Sequence, residues 1–220
     1  MSFIPVYVYF IAVCFIASLF SNWTVEKPPV YLRYFPYFLF TTLSVELLGS
    51  YLLSNRQNNL FLYNFFTTLE FCFYLWVISR IITNDRVIKL IWLIIPIYLL
   101  ISVINILFIQ GMRSFHTVTY AMGCLLIVIF SVYYFFELFR RPQSVDLKTN
   151  PAFWICTGLL FFYCCGFPLY GLTNLLYNIS TLIIRNFHGI IIILNIFLYT
   201  LFTIGFLCRI RTRKYTLSRS

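Results

Sequence analysis

Glu46 and Glu70 are the positions at which this sequence carries the most chemistry. Each lies inside a long apolar stretch, and each can accept hydrogen bonds, hold a cation or exchange a proton. A carboxyl group deep in an apolar span costs about 2.5–3.5 kcal/mol on insertion scales, so its retention calls for a reason. The other four acids, Glu26, Asp85, Glu137 and Asp146, fall in or beside polar connections. Further polar side chains recur at helical spacing around the two buried acids. Tyr63, Thr67, Glu70 and Tyr74 share one helical face, and Thr42, Glu46, Gly49 and Ser50 share another. Tyr98, Ser102 and Asn105 form a third stripe, Tyr163, Tyr170, Asn174 and Tyr177 a fourth, and His188, Asn195 and Tyr199 a fifth. Asn64 and His116 stand near the starts of their segments.

The elements that must position these residues follow from hydropathy. Of 220 residues 61% are hydrophobic and 10% charged, with a mean hydropathy of +0.89. Soluble chains carry about 25% charged residues, so this composition excludes disorder, coiled coil and collagen and requires lipid as solvent. A spanning helix needs roughly 20 apolar residues at ~1.5 Å per residue. Seven segments qualify: 3–20, 35–53, 60–82, 89–109, 116–139, 152–177 and 187–209. The expected fold is all-α, a polytopic bundle of seven helices forming a single domain over residues 1–220, with 210–220 as a short basic tail. No basic residue precedes the first segment and no small-x-small pattern follows it, so it reads as a retained helix rather than a cleaved leader.

Orientation follows from the basic residues. Thirteen of the sixteen (Lys27, Arg33, Arg80, Arg86, Lys89, Arg140, Arg141, Lys148, Arg209, Arg211, Arg213, Lys214 and Arg219) flank one side, and only Arg56, Arg113 and Arg185 the other. Retention of Lys and Arg in the cytoplasm predicts an external N terminus and a cytoplasmic C terminus. The net charge of +10 then reflects topology and attraction to anionic headgroups, and no nucleic-acid partner is expected. In this frame Glu46 and Glu70 lie about 10 and 15 Å below the outer surface. Asn64, Asn105, His116, Asn174, His188 and Asn195 reach the same outer half from helices running in both directions. The stripes are expected to converge on an aromatic-walled polar pocket with Tyr170 on its border. Pro168, between Gly166 and Gly171, is expected to kink helix six beside it.

Several chemistries are excluded. The seven cysteines all fall inside helices, which argues against a disulfide framework and for simple packing. No Gly-x-Ser-x-Gly, His-Glu-x-x-His or phosphate-binding Gly-Lys-Ser/Thr motif is present. A retinal site of the rhodopsin kind needs a lysine in the last span, and the seventh segment has none. The seven-helix zinc hydrolases of the ceramidase type supply three histidines, and this chain has two. A site of His116, His188 and either glutamate is the remaining metal-dependent option. Neither a cofactor nor a resident metal is expected.

The stretches Tyr133-Tyr134-Phe135-Phe136-Glu137-Leu138-Phe139, Asn150-Pro151-Ala152-Phe153-Trp154-Ile155 and Gly158-Leu159-Leu160-Phe161-Phe162-Tyr163 resemble an uncharacterised family of small bacterial seven-helix membrane proteins. That resemblance implies a bacterial inner membrane and brings no assigned activity. The expected function is that of a non-enzymatic sensor or accessory module with an outer-leaflet pocket. Its expected partners are the bilayer, a separate cytoplasmic signalling protein and a second copy of the chain. The alternatives are a proton- or cation-coupled transporter or channel, and an intramembrane metal-dependent hydrolase.

Overall fold

A computed structural model describes residues 4–24, 28–111, 114–140, 146–171 and 181–217; of residues 170, 171, 181–188 and 209–217 it describes the backbone alone. Seven α-helices run through the described residues: α1 Val6–Thr24, α2 Val30–Ser54, α3 Leu60–Ile81, α4 Asp85–Ile104, α5 Thr117–Phe139, α6 Pro151–Gly171 and α7 Thr181–Leu217. No strand occurs among these residues, and all seven helices carry a segment long and apolar enough to cross a membrane. The protein is an all-α, multi-pass membrane bundle.

The boundaries differ from the hydropathy reading where capping and proline chemistry act. α2 starts at Val30, directly after Pro28-Pro29, and runs straight through Pro36. Pro36 has no N–H for the Leu32 carbonyl one turn earlier. Asn22 of α1 donates its Nδ2 to Leu32 O at 3.4 Å and to Arg33 O at 3.2 Å, so a neighbouring helix satisfies what the proline leaves open. α4 starts at Asp85, where the Asn84 side chain accepts from the Arg86 N–H at 3.0 Å, a standard N-cap. Its far end widens into a π-turn over Asn105–Ile109, closed by Gln110 N to Asn105 O at 2.8 Å. α7 does not stop at Arg209. It continues to Leu217, because 209–217 holds no Gly or Pro and its arginines and lysine suit a helix C-terminus. The stretch read as a tail is thus helical as far as Leu217. On α6, Gly171 is the last described residue, and the expected extension to Tyr177 lies outside the described residues.

Six helices close a ring in which α1 packs on α2 and α7, α2 on α3, α3 on α5, α5 on α6, and α6 on α7. α4 stands outside this ring against α3 and α5, burying only Ile91, Tyr98 and Ser102 along its α-helical length. Call the end at which α1 begins the upper end. The lower half of the ring is filled by interlocked aromatic rings. Phe38 stacks on Phe73 at 4.1 Å, and Phe35 meets Phe73, Phe202 and Phe206 edge-on at 5.3, 5.6 and 5.3 Å. Such edge-on pairs add about 0.5–1.5 kcal/mol each beyond their burial in water-soluble proteins. In this half the hydroxyls of Ser18, Ser79 and Thr203 are turned back onto their own helix carbonyls. The charged side chains Arg33, Arg80, Arg86, Lys89, Arg140 and Lys148 at the lower end are exposed.

Candidate functional site

The upper half of the ring holds a partly open cavity of about 280 Å³, walled by α1, α2, α3, α5, α6, α7 and the residue Phe115. Glu46 of α2 and Glu70 of α3 both line it. Of the α3 stripe read from the sequence, Tyr63, Thr67 and Glu70 line the cavity and Tyr74 does not.

Glu46 is held from two sides. Its Oε2 accepts the Tyr7 hydroxyl of α1 at 2.8 Å and the Tyr63 hydroxyl of α3 at 3.1 Å. Gly49, one turn further along α2, makes the second bond possible, because a Cβ there would fall 2.5 Å from the Tyr63 hydroxyl oxygen. Glu70 sits deeper. The hydroxyls of Tyr163 and Tyr74 approach its carboxyl group without reaching hydrogen-bond geometry, and both rings are 0% exposed. Neither hydroxyl has a hydrogen-bond partner among the described residues.

Asn64, Asn105 and His116 do not line the cavity; they form the wall behind it. Asn64 is 0% exposed, donates to Ser114 O at 2.8 Å and accepts the His116 backbone N–H at 3.2 Å, which pins the start of α5 to α3. His116, read as an interfacial residue from its place at a segment start, is also 0% exposed. Its Nε2 lies 2.6 Å from Thr67 Oγ1 and its Nδ1 2.6 Å from Thr119 Oγ1. One proton arrangement satisfies every group in this network. Asn105 Nδ2 donates to Thr119 Oγ1 at 3.2 Å, Thr119 to His116 Nδ1, His116 Nε2–H to Thr67, and Thr67 to Tyr63 O at 2.8 Å. The histidine is neutral in that arrangement, and its burial pushes the imidazole down to about 4. Asn105 is further occupied by Gln110 Oε1 at 2.7 Å, across the π-turn. Sequence spacing brought these residues to the right level and could not tell whether the α4 stripe turns toward the cavity or toward α5.

Asn195 of α7 does line the cavity, with its Nδ2 donating to Ile191 O at 2.9 Å, and Tyr199 lines it one turn below. The side chains of Tyr170 and His188, and all of Asn174, lie outside the described residues. α6 continues as helix through Gly166 and Pro168 to Gly171. Gly166 faces the Tyr120 hydroxyl, which a Cβ there would meet at an ordinary 3.8 Å.

The sequence stripes missed several lining residues, among them Tyr7, Phe115, Tyr120 and Phe162. A tyrosine at the end of an apolar span reads as part of the interfacial aromatic belt, which conceals Tyr7. Among the described lining residues seven are aromatic, two are carboxylic acids, and none is lysine, arginine or histidine. These residues offer acceptors, hydroxyl donors and ring faces, with no positive charge among them. Among the described residues no three His, Cys, Asp or Glu side chains gather as a metal-binding group, and both ring nitrogens of His116 are already engaged by threonines. The chain matches no known protein family, no curated protein and no solved structure.

Proposed function

We propose that this protein is a membrane-embedded binding module, a sensor or accessory subunit that takes a small molecule into the upper cavity and passes its occupancy to a cytoplasmic partner. The observation that carries the reading is the contrast between the two halves of the ring. Two carboxyls and a set of hydroxyls line a cavity in the upper half, while the lower half is closed by packed aromatic rings with no buried acid or base among the described residues. A pocket that ends in a packed core is built for occupancy, whereas a translocation route needs polar stations along its whole length. The basic residues clustered toward the lower end support a cytoplasmic location for that end, and hence a cavity that opens outward. α1, α2, α3 and α7 contribute to both the cavity and the lower aromatic core, which supplies a packed connection from ligand to cytoplasmic face.

The test is reconstitution of the full chain into liposomes loaded with a pH dye and, separately, a cation dye. The expected result is no flux above that of empty liposomes. Sustained proton or cation flux that Glu70→Gln abolishes would overturn the binding-module reading in favour of transport.

A further inference from the structure

We infer that the ligand is an organic ammonium ion, a positively charged nitrogen carried on a compact apolar or aromatic body, held between Glu46 and Glu70 against the tyrosine-rich walls of the upper cavity. The inference rests on the binding-module reading and adds the chemical class of the ligand.

Three independent features converge on that class. The first is charge. Two carboxylic acids from different helices share one cavity, and among the described lining residues none is basic. An anionic ligand would meet two carboxyl groups and no cationic side chain among the described lining residues. A cation, in contrast, supplies the counter-charge that two acids in a low-dielectric site lack.

The second is the state of the acceptors. Both tyrosine hydroxyls on Glu46 converge on Oε2, at 2.8 and 3.1 Å, and Oε1 makes no hydrogen bond among the described residues. The fully buried hydroxyls of Tyr74 and Tyr163 approach the Glu70 carboxyl group from residues that do not themselves line the cavity. Glu46 thus keeps one carboxyl oxygen available to an added donor, in the same cavity as the Glu70 carboxyl. An ammonium group carries up to three N–H donors and no acceptor, which is the complement of this set.

The third is the wall. Tyr7, Tyr63, Phe66, Tyr120, Phe162 and Tyr199 surround the carboxyls. The negative faces of aromatic rings attract a cation by about 0.5–2 kcal/mol each, and do so without the close oxygen cage that an inorganic ion demands. At about 280 Å³ the cavity sits near the lower edge of the ~300–1,000 Å³ range of small-molecule pockets, which suits a compact body.

The experiment is a comparison of three near-isosteric probes on the purified full chain in lipid nanodiscs at pH 7: 2-phenylethylammonium, the neutral 2-phenylethanol and the anionic 3-phenylpropanoate, titrated calorimetrically. The ammonium is expected to bind at least tenfold more tightly than the alcohol, and the anion not measurably. Glu46→Gln and Glu70→Gln are each expected to weaken the ammonium by tenfold or more while leaving the alcohol within about threefold. The comparison on the unaltered protein needs no variant, so it decides the matter even where a substitution impairs folding. Equal affinity for ammonium and alcohol, or preference for the anion, overturns the ligand class and leaves the binding pocket standing. Binding of none of the three overturns the class as well. Flux in the liposome experiment would instead remove the binding-module reading, whichever probe binds.

Discussion

Replacing Gly123 by alanine tests whether the back wall of the cavity is as tightly constrained as its geometry implies. A Cβ at Gly123 would lie 2.7 Å from the Phe71 ring atoms Cγ and Cδ2 and 2.8 Å from Cδ1, where ordinary contact begins near 3.4 Å. The ring must therefore retreat by roughly 0.7 Å. It has little room to do so. Phe71 is fully buried, with Tyr163 at 5.2 Å, Tyr120 at 5.3 Å and Tyr98 at 5.8 Å, ring centre to ring centre. Overpacking of this kind costs about 1–3 kcal/mol, against about 1 kcal/mol regained when alanine replaces glycine within a helix. Net destabilisation of about 0–2 kcal/mol is expected for Gly123→Ala, read from reversible unfolding in mixed micelles. In a Phe71→Leu background the ring is gone and the same substitution should be neutral or slightly stabilising, a coupling of about 1–3 kcal/mol. Equal destabilisation in both backgrounds, or stabilisation of the unaltered chain, would refute the steric account.

Burial of neutral His116 makes stability depend on pH. Its value is about 4 in the folded protein and 6.5 when exposed, so the unfolded chain binds the extra proton between these limits. Stability should be complete above about pH 6.5 and decline by about 3 kcal/mol toward pH 4; melting between pH 7 and 4.5 should show this, and His116→Gln should flatten it. Tyr7→Phe and Tyr63→Phe each remove one hydroxyl from Glu46 Oε2 and should lower stability by about 0.6–1.7 kcal/mol, the range for polar contacts between membrane helices. In a Glu46→Leu background the loss should at least halve, and an unchanged loss would mean that the hydroxyls act elsewhere. A reporter fused after Ser220 should be cytoplasmic and one inserted at Gln110 or Gly111 external, and a reversed result in protease protection would move the cavity to the other leaflet.

Local hydropathy carries the seven spans, because burying an apolar segment of about 20 residues is a property of the segment alone. Glu46 and Glu70 were legible for the same reason, as a penalty visible without any knowledge of neighbours. What spacing could not supply is the order of helices around the ring. α4 lies outside it, so the stripe of Tyr98, Ser102 and Asn105 turns to α5 rather than to the cavity, and Tyr98 hands its hydroxyl to Thr119 O at 3.3 Å. His116 shows a second limit. Its position at the start of α5 suggested water, whereas Asn64, Thr67 and Thr119 from two helices enclose it. The neighbour that meets the needs of Pro36 is ten residues or more away in α1, and nothing in the α2 sequence announces it.

The position of α4 divides the molecule's responsibilities. Six helices answer simultaneously to the cavity, to the aromatic core and to one another, so a change in any of them is felt in several places. α4 answers to α3 and α5 through a narrow strip and presents Leu93, Leu100 and Phe108 outward. Its outer surface is consequently free to drift with the lipid it meets, adjusting to a thicker or more fluid membrane while the chemistry inside the ring stays as it is. For an experimenter the same freedom makes it a handle: dyes or spin labels placed at those outward positions would report on the surroundings of the bundle without touching the two glutamates.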